Sequence, residues 1–356
     1  MAWLALYLGC VLPRCPGRGE NPRMYQLLHV GLGPLGQRVV ADLARRGLGR
    51  VVAAVDPAPA LARRNLAELV PGLSQGVRVR ACLEEVSEWD SIRCAVVTTR
   101  SDLELCMDTF RALLARGCSV VSTCEELAWP WLRHPVLAQE LHELAVRGGA
   151  RIVGTGINPG FLMDALPVAA TSACHLVRAL RIERIQDAGK RRLPFQQKVG
   201  VGLAPAEFER RVAAGTLRHV GLGESLHFLA HFLGWRVERW EETIVPVLAD
   251  RELESDLGPV PAGAARGVRQ EARGWVGGRL ALELLFQATL GEPEPRDRAV
   301  IEGEPPFELL VPGGVHGDTA TSALVLNVIR PLLFAEPGLH TMASLPLQGC
   351  VSAGSV

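Results

Sequence analysis

The pattern of apolar and polar positions divides the chain into two regimes. Up to about residue 160, short unbroken apolar runs alternate with longer segments whose apolar residues recur every three or four positions. The runs at 26–30, 51–55, 94–97, 119–121 and 151–153 have the length and continuous hydrophobicity of strands buried on both faces of a parallel sheet. Between them, Val39, Val40, Leu43 and Leu48 mark an amphipathic helix closed by Gly47 and Gly49, and further helices are expected over 103–116 and about 135–147. A short strand is expected at 77–80, with an acidic helix or turn around 84–90. Strands separated by helices of about ten to fifteen residues specify a parallel, doubly wound sheet.

Beyond Phe161 the periodicity changes. Residues 176–185 alternate as a strand that puts Ile182, Arg184 and Gln186 on one face. A polar and basic run, 187–200, follows. Helices are expected at 205–214 and 226–233, and strands at 240–248, 267–273, 281–289 and in a longer region ending near Val311. An apolar helix over 319–333 is broken by Pro337-Gly338-Leu339. This half reads as an α+β domain on a mostly antiparallel sheet.

The junction of the first strand and helix carries the first chemical signal. Gly31-Leu32-Gly33-Pro34-Leu35-Gly36 has the spacing G-x-G-x-x-G in a strand–turn–helix context. Gly31 permits the tight turn, Gly33 lets a pyrophosphate approach the backbone, and Gly36 lets helix and strand pack closely. The helix N-terminus offers free N–H groups to the phosphates, and Pro34 in the first turn forfeits no helical bond. Asp56 ends the second strand about twenty residues past Gly36, where a dinucleotide fold places an acid on the adenine ribose. A carboxylate there repels a 2′-phosphate and favours NAD, while Arg63 and Arg64 keep NADP in play. The fold class is therefore α/β: an N-terminal Rossmann sheet with a C-terminal α+β domain.

Composition narrows the setting. The 356 residues are 48% apolar and 21% charged with zero formal net charge, which fits a globular protein of two domains and gives no field that attracts nucleic acid or an anionic membrane. The nine cysteines include no C-x-x-C pair, so neither a disulfide framework nor a structural metal is expected, and a cytoplasmic setting fits. His227 and His231 share a helix face, but no third ligand is nearby. Of 38 basic residues only two, Lys190 and Lys198, are lysines. A chain that otherwise uses arginine can keep lysine where an ammonium must release its proton. Residues 1–23 lack a core-forming pattern and are expected to be a disordered leader or a mis-set start ahead of Met24.

In a doubly wound sheet, ligands bind outside the carboxyl ends of the strands. Those ends carry the glycine turn, Asp56, Thr98-Thr99-Arg100, Thr123-Cys124-Glu125-Glu126 and Asn158-Pro159-Gly160. Thr98, Thr99, Arg100, Thr123 and Asn158 are accordingly candidate cofactor contacts.

The stretches VGLGPLG, STCEEL, GTGINPGFLMD, DAGKRRLPFQQKVGVG, HVGLGES and GGVHGDTATSALVLNVIRP together resemble the 2,4-diaminopentanoate dehydrogenase family, a branch of the dihydrodipicolinate-reductase-like enzymes. The paired-histidine motif and serine–glycine–threonine loop of the reductase proper are absent. The resemblance implies a dinucleotide-binding domain over 24–158, a substrate and oligomerisation domain over 159–316, and a segment 317–356 whose helix returns toward the first domain. It implies an NAD- or NADP-dependent amine dehydrogenase that deaminates a diamino acid oxidatively and assembles as a homodimer or homotetramer through its C-terminal domain. Within that frame Glu125 and Glu126 supply the negative side of the pocket, one acting as base. Arg191 or Arg192 holds the substrate carboxylate, Lys198 or His219 moves protons, and Asn158 orients the nicotinamide amide or the substrate. Gln196, Gln197 and Glu224, in the same motifs, are further substrate contacts. The helix over 319–333 is expected against the first domain, with His316 and Asp318 near the cleft mouth. An imine or carbonyl reductase and a non-catalytic NAD(H) sensor are the alternatives.

Overall fold

The apolar runs of the first half become the strands of one sheet. A computed structural model describes residues 25–73, 76–191 and 193–351; the leader expected at 1–23 and the candidate Arg192 lie outside these. In chain order the first elements are β1 (Tyr25–Val30), α1 (Pro34–Arg45), β2 (Gly49–Val55), α2 (Leu66–Leu69) and β3 (Val79–Arg80). They continue with β4 (Cys94–Val97), α3 (Met107–Leu114), β5 (Ser119–Ser122), α4 (Pro135–Gly148) and β6 (Arg151–Gly154). The second half adds α5 (Ala165–Thr171), β7 (Leu176–Asp187), α6 (Leu193–Lys198), α7 (Pro205–Ala213), α8 (Leu222–Phe232) and β8 (Arg239–Leu248). It ends with β9 (Ala265–Val276), β10 (Arg279–Thr289), β11 (Arg296–Glu304), β12 (Phe307–Pro312), α9 (Gly317–Phe334) and β13 (Gly338–His340).

The first sheet runs β3-β2-β1-β4-β5-β6-β13, with every pair parallel. The strand order reverses between β1 and β4, and the crevice this leaves at the carboxyl ends is where such sheets bind nucleotides. Phe110, Leu113, Leu114 and Leu141 of α3 and α4 pack on one face. On the other, Val39 and Leu43 of α1 meet Val325, Ile329 and Leu332 of α9. Polar contacts fix that docking: Ser322 donates to Asp42 Oδ2 at 2.8 Å, and Arg46 Nη2 donates to Asn327 Oδ1 at 2.6 Å. The apolar helix over 319–333 thus returns to the first sheet.

The second sheet runs β12-β11-β7-β10-β9-β8 and is antiparallel except for β7 against β10. Its inner face (Ile182, Val268, Ala272, Leu284, Phe286, Ile301) is covered by Phe208 of α7 and Leu222, Leu226 and Leu229 of α8. Among the described residues no helix is long and apolar enough to cross a membrane.

Within the polar and basic run 187–200, α6 forms and turns Phe195 and Gln196 inward. Two local readings change. Helix α8 begins at Leu222, four residues before the expected start, because Gly221 at φ +111° supplies a left-handed entry. The break expected at Pro337-Gly338-Leu339 is β13, which pairs with β6 although Leu339 is its one buried large apolar residue.

His29, on β1 beneath the glycine turn, sets an acid limit. Its Nε2 lies 3.2 Å from Thr98 Oγ1, and burial pulls its pKa from 6.5 down to about 4. As pH falls from 6.5 toward 4 the unfolded chain takes up a proton that the folded chain does not, so this group removes about 3 kcal/mol of stability over that window. His29→Gln keeps a hydrogen-bonding amide and should remove about one proton from the pH slope of stability. Urea melts from pH 4 to 7 read this directly; equal slopes for both proteins contradict it.

Candidate active site

The turn between β1 and α1 is built by two glycines and left open by a third. A Cβ on Gly31, whose φ is +90°, would stand 2.7 Å from the Thr98 carbonyl oxygen. A Cβ on Gly36 would fall on the Gly31 carbonyl oxygen and 2.7 Å from Thr98 Oγ1. Around Gly33 nothing lies within 4 Å of a Cβ, so its outer face is open to an approaching group. Gly33 is also the N-cap of the 12-residue α1, with no side chain capping the first turn, so free N–H groups face that space.

Asp56 braces this turn. Its Oδ2 accepts the Leu32 N–H at 2.7 Å and its Oδ1 accepts the Ala58 N–H at 2.9 Å. A carboxylate has lone pairs left for a ribose hydroxyl after two such bonds. If it makes that contact, Asp56→Ala should weaken NAD by about 1–3 kcal/mol and NADP by less. Titrating both cofactors tests this; equal losses would mean that the carboxylate only braces the turn.

A cavity of about 360 Å³ opens between the two sheets. Its first wall comes from the strand ends: Gly33, Pro34 and Leu35 after β1, Thr98 to Ser101 after β4, Thr123 and Glu125 after β5, and Thr155 to Pro159 after β6. The opposite wall comes from Arg184 and Gln186 on β7, then Arg191, Pro194, Phe195, Lys198 and His219. Asp318 and Thr321 of α9 complete it.

Charges meet across this space. Lys198 Nζ donates to both oxygens of Glu125, at 3.0 and 2.9 Å, tying α6 to the turn after β5. Arg191 Nη1 donates to Gln186 Oε1 at 2.6 Å and Nη2 to Asp318 Oδ1 at 3.2 Å, while the guanidinium lies over the Phe195 ring. Arg184, 1% exposed, donates to Asp297 Oδ1 at 2.6 Å and to the Val315 carbonyl at 3.1 Å. His219 is buried with its ring on Phe286, centroids 4.0 Å apart. Burial, and then the charges of Lys198, Arg184 and Arg191, hold its pKa well below the ordinary value, so the imidazole is neutral.

Among the described residues, Thr155 Oγ1, both amide atoms of Asn158 and His219 Nδ1 are cavity-wall atoms buried without a hydrogen-bond partner. Buried polar groups are nearly always satisfied, and a cluster of exceptions around one cavity marks a place for a polar ligand.

The other sequence candidates lie elsewhere. Glu126 turns away from its neighbour: Oε2 accepts the Leu103 N–H at 2.9 Å and sits 3.0 Å from His134 Nε2, and Oε1 faces Arg218. Those contacts hold the turn after β5 and keep Glu126 out of the wall. Glu224 is buried against Arg133 Nε at 2.8 Å. Gln196 donates to the Arg191 carbonyl at 3.0 Å and to Asp256 Oδ2 at 3.1 Å, and Gln197 is exposed. Gly31, Leu32 and Gly36 shape the turn from below the wall. Asp318 lines the cavity, whereas His316 caps α9 through the Thr319 N–H. His227 bonds the Gly223 carbonyl while His231 packs on Trp129, so the pair converges on no common point. Sequence reading missed Arg184, Gln186, Thr155, Phe195 and Thr321; the alternation that put Arg184 and Gln186 on one face was the available signal for two of them.

The C-terminal-domain family of 2,4-diaminopentanoate dehydrogenase matches residues 161–355. The 2,4-diaminopentanoate dehydrogenase of Acetoanaerobium sticklandii is 30% identical over 276 residues, which span 76% of this chain and 78% of that protein. An amine dehydrogenase of Streptomyces virginiae is 26% identical over 244 residues, 62% of this chain and 66% of that one. In fold, the chain is similar to the solved amine dehydrogenase of Mycobacterium smegmatis, with a TM-score of 0.82 at 24% identity over 93% of this chain and 98% of that one.

Proposed function

The chain belongs to the 2,4-diaminopentanoate dehydrogenase family, and from that premise we propose that it is an NAD(P)-dependent amine dehydrogenase acting on a diamino acid such as 2,4-diaminopentanoate. The observation that carries the reading is the group of buried, unpartnered atoms on Thr155, Asn158 and His219, set between an open glycine turn and the Glu125–Lys198 pair. The open face of Gly33 and the uncapped start of α1 suit the pyrophosphate of a dinucleotide, and the amide of Asn158 suits a carboxamide partner. The bound nicotinamide supplies the hydride acceptor.

The residues of the chain set charge and position. In the overall reaction a C–H hydrogen leaves carbon with its electron pair, the ammonium loses a proton, and water replaces nitrogen; ketone, ammonium, reduced nicotinamide and one proton result. Glu125 takes the substrate ammonium in exchange for Lys198, and the freed lysine moves protons to and from the amine and the attacking water. Arg191, held by Gln186 and stacked on Phe195, faces the substrate carboxylate, and Arg184 adds positive charge beneath it. Neutral His219 gives the amine or the water a hydrogen-bond partner and adds no further charge. We place the enzyme in the cytoplasm, with NAD favoured by Asp56. We assign its homo-oligomeric contact to the outer face of the second sheet, where Val245 and Leu310 are exposed.

The test follows reduced-nicotinamide absorbance with NAD and NADP over a set of diamino acids, simple amines and hydroxy acids. Turnover confined to amines, and fastest with those bearing a carboxylate, is expected. Turnover only of hydroxy acids, or tight NAD(H) binding without turnover of any amine, overturns the reading.

A further inference from the structure

His219 belongs to an irregular segment between α7 and α8, so neither its buried N–H nor its carbonyl has a place in a ladder. Both are met by one side chain. Gln270 of β9, 0% exposed, accepts the His219 N–H on Oε1 at 2.9 Å and donates from Nε2 to the His219 carbonyl at 2.9 Å. The second Nε2 hydrogen goes to Glu242 Oε1 on β8 at 2.8 Å. A carboxamide both accepts once and donates twice in that arrangement; an ionised glutamate cannot donate, and an apolar residue does neither. The carboxylate of Glu242 also decides which end of the amide faces which backbone group. Phe286, on which the His219 ring lies, is the direct cross-strand neighbour of Gln270 in the β9–β10 pairing. Clamp and platform therefore come from the same rung of the sheet and fix main chain and ring together.

We infer that Gln270 is a positioning residue for the reaction: it holds the His219 main chain so that the imidazole stays in the cavity wall, with Glu242 fixing the amide. The inference rests on the reading of His219 as a partner of substrate or water. Gln270 does not line the cavity, so it acts through His219 alone.

Four substitutions, two of them also combined, and a crystal structure test this. Gln270→Met, close in shape but without hydrogen bonds, should lower kcat by about ten- to a hundredfold, the scale of a small misplacement of a reacting group, and leave NAD(H) affinity unchanged. In a His219→Ala background the same substitution should cost no further kcat, because its effect passes through the missing ring. Glu242→Gln keeps an acceptor and should retain kcat, whereas Glu242→Leu should lose part of it; this pair also serves if Gln270→Met does not fold. The crystal structure of Gln270→Met, or of Glu242→Leu in its place, should show the His219 ring displaced from Phe286. A ring still stacked there, or equal kcat losses with and without His219, overturns the inference while leaving the amine-dehydrogenase reading intact. If the parent protein turns over no amine, that reading falls, and the ring position alone decides whether the clamp works as inferred.

Discussion

Lys198→Arg should bind NAD(H) almost as the parent protein does and yet lose about a hundredfold or more of kcat, the scale for a general acid–base group. Its Nζ already meets both Glu125 oxygens, at 3.0 and 2.9 Å. A guanidinium can reproduce that two-point contact, so the link between α6 and the turn after β5 should survive the change. What arginine cannot do is release a proton near neutral pH. The substitution thus separates the geometry of the pair from its chemistry. Lys198→Ala should be at least as poor, since it also leaves Glu125 without its partner. Glu125→Gln should raise KM for the amine as well as lower kcat, because the counter-charge for the substrate ammonium is gone. Steady-state kinetics on the best substrate decide the matter. A Lys198→Arg enzyme with near-parental kcat would show that the lysine proton is irrelevant and pass the role to Glu125 or His219.

The second large effect concerns the glycine turn. Gly36→Ala should lose cofactor affinity by about a hundredfold and lower the melting temperature, through overpacking that costs about 1–3 kcal/mol or more. The added carbon would fall on the Gly31 carbonyl, 2.7 Å from Thr98 Oγ1 and 2.9 Å from His29 Nε2. The Gly31 carbonyl is itself held in place, because it accepts the Thr98 Oγ1 hydrogen at 2.7 Å. Gly33→Ala should behave differently: with nothing within 4 Å it leaves stability unchanged and weakens only the cofactor. Thermal melts and cofactor titrations on the two variants separate the roles. Equal destabilisation by both would contradict the assignment of Gly36 to the fold and Gly33 to the ligand.

Much of this arrangement is local and could be read from the chain. The strand, glycine turn and helix of 26–45 are determined within twenty residues, and the apolar character of α9 is equally local, whereas its return to the first sheet was implied by the family resemblance. What the sequence could not show depends on direction or on distant partners. Glu125 and Glu126 are adjacent on one short 3₁₀ turn and leave it in opposite senses, one to the cavity and one to Leu103, His134 and Arg218. No periodicity distinguishes them. Gln196 and Gln197 part in the same way on α6, one buried and one exposed. Arg184 could be placed on a strand face, but its partner Asp297 lies more than a hundred residues away on β11. The Asp56 contact to Leu32 likewise closes a loop of 24 residues through a side chain, where no backbone pattern announces it.

The cavity between the two sheets is expected to remove hydrogen and nitrogen from the same carbon of an amine. The most direct measurement uses 2,4-diaminopentanoate deuterated at C4, with the parent protein and NAD or NADP. Mass analysis of the recovered nicotinamide and an assay of ammonium should show deuterium in the reduced ring and ammonium in a one-to-one ratio, and neither with Lys198→Arg on the same timescale. Reduced nicotinamide formed without ammonium, or cofactor bound tightly with neither product formed, would contradict the account.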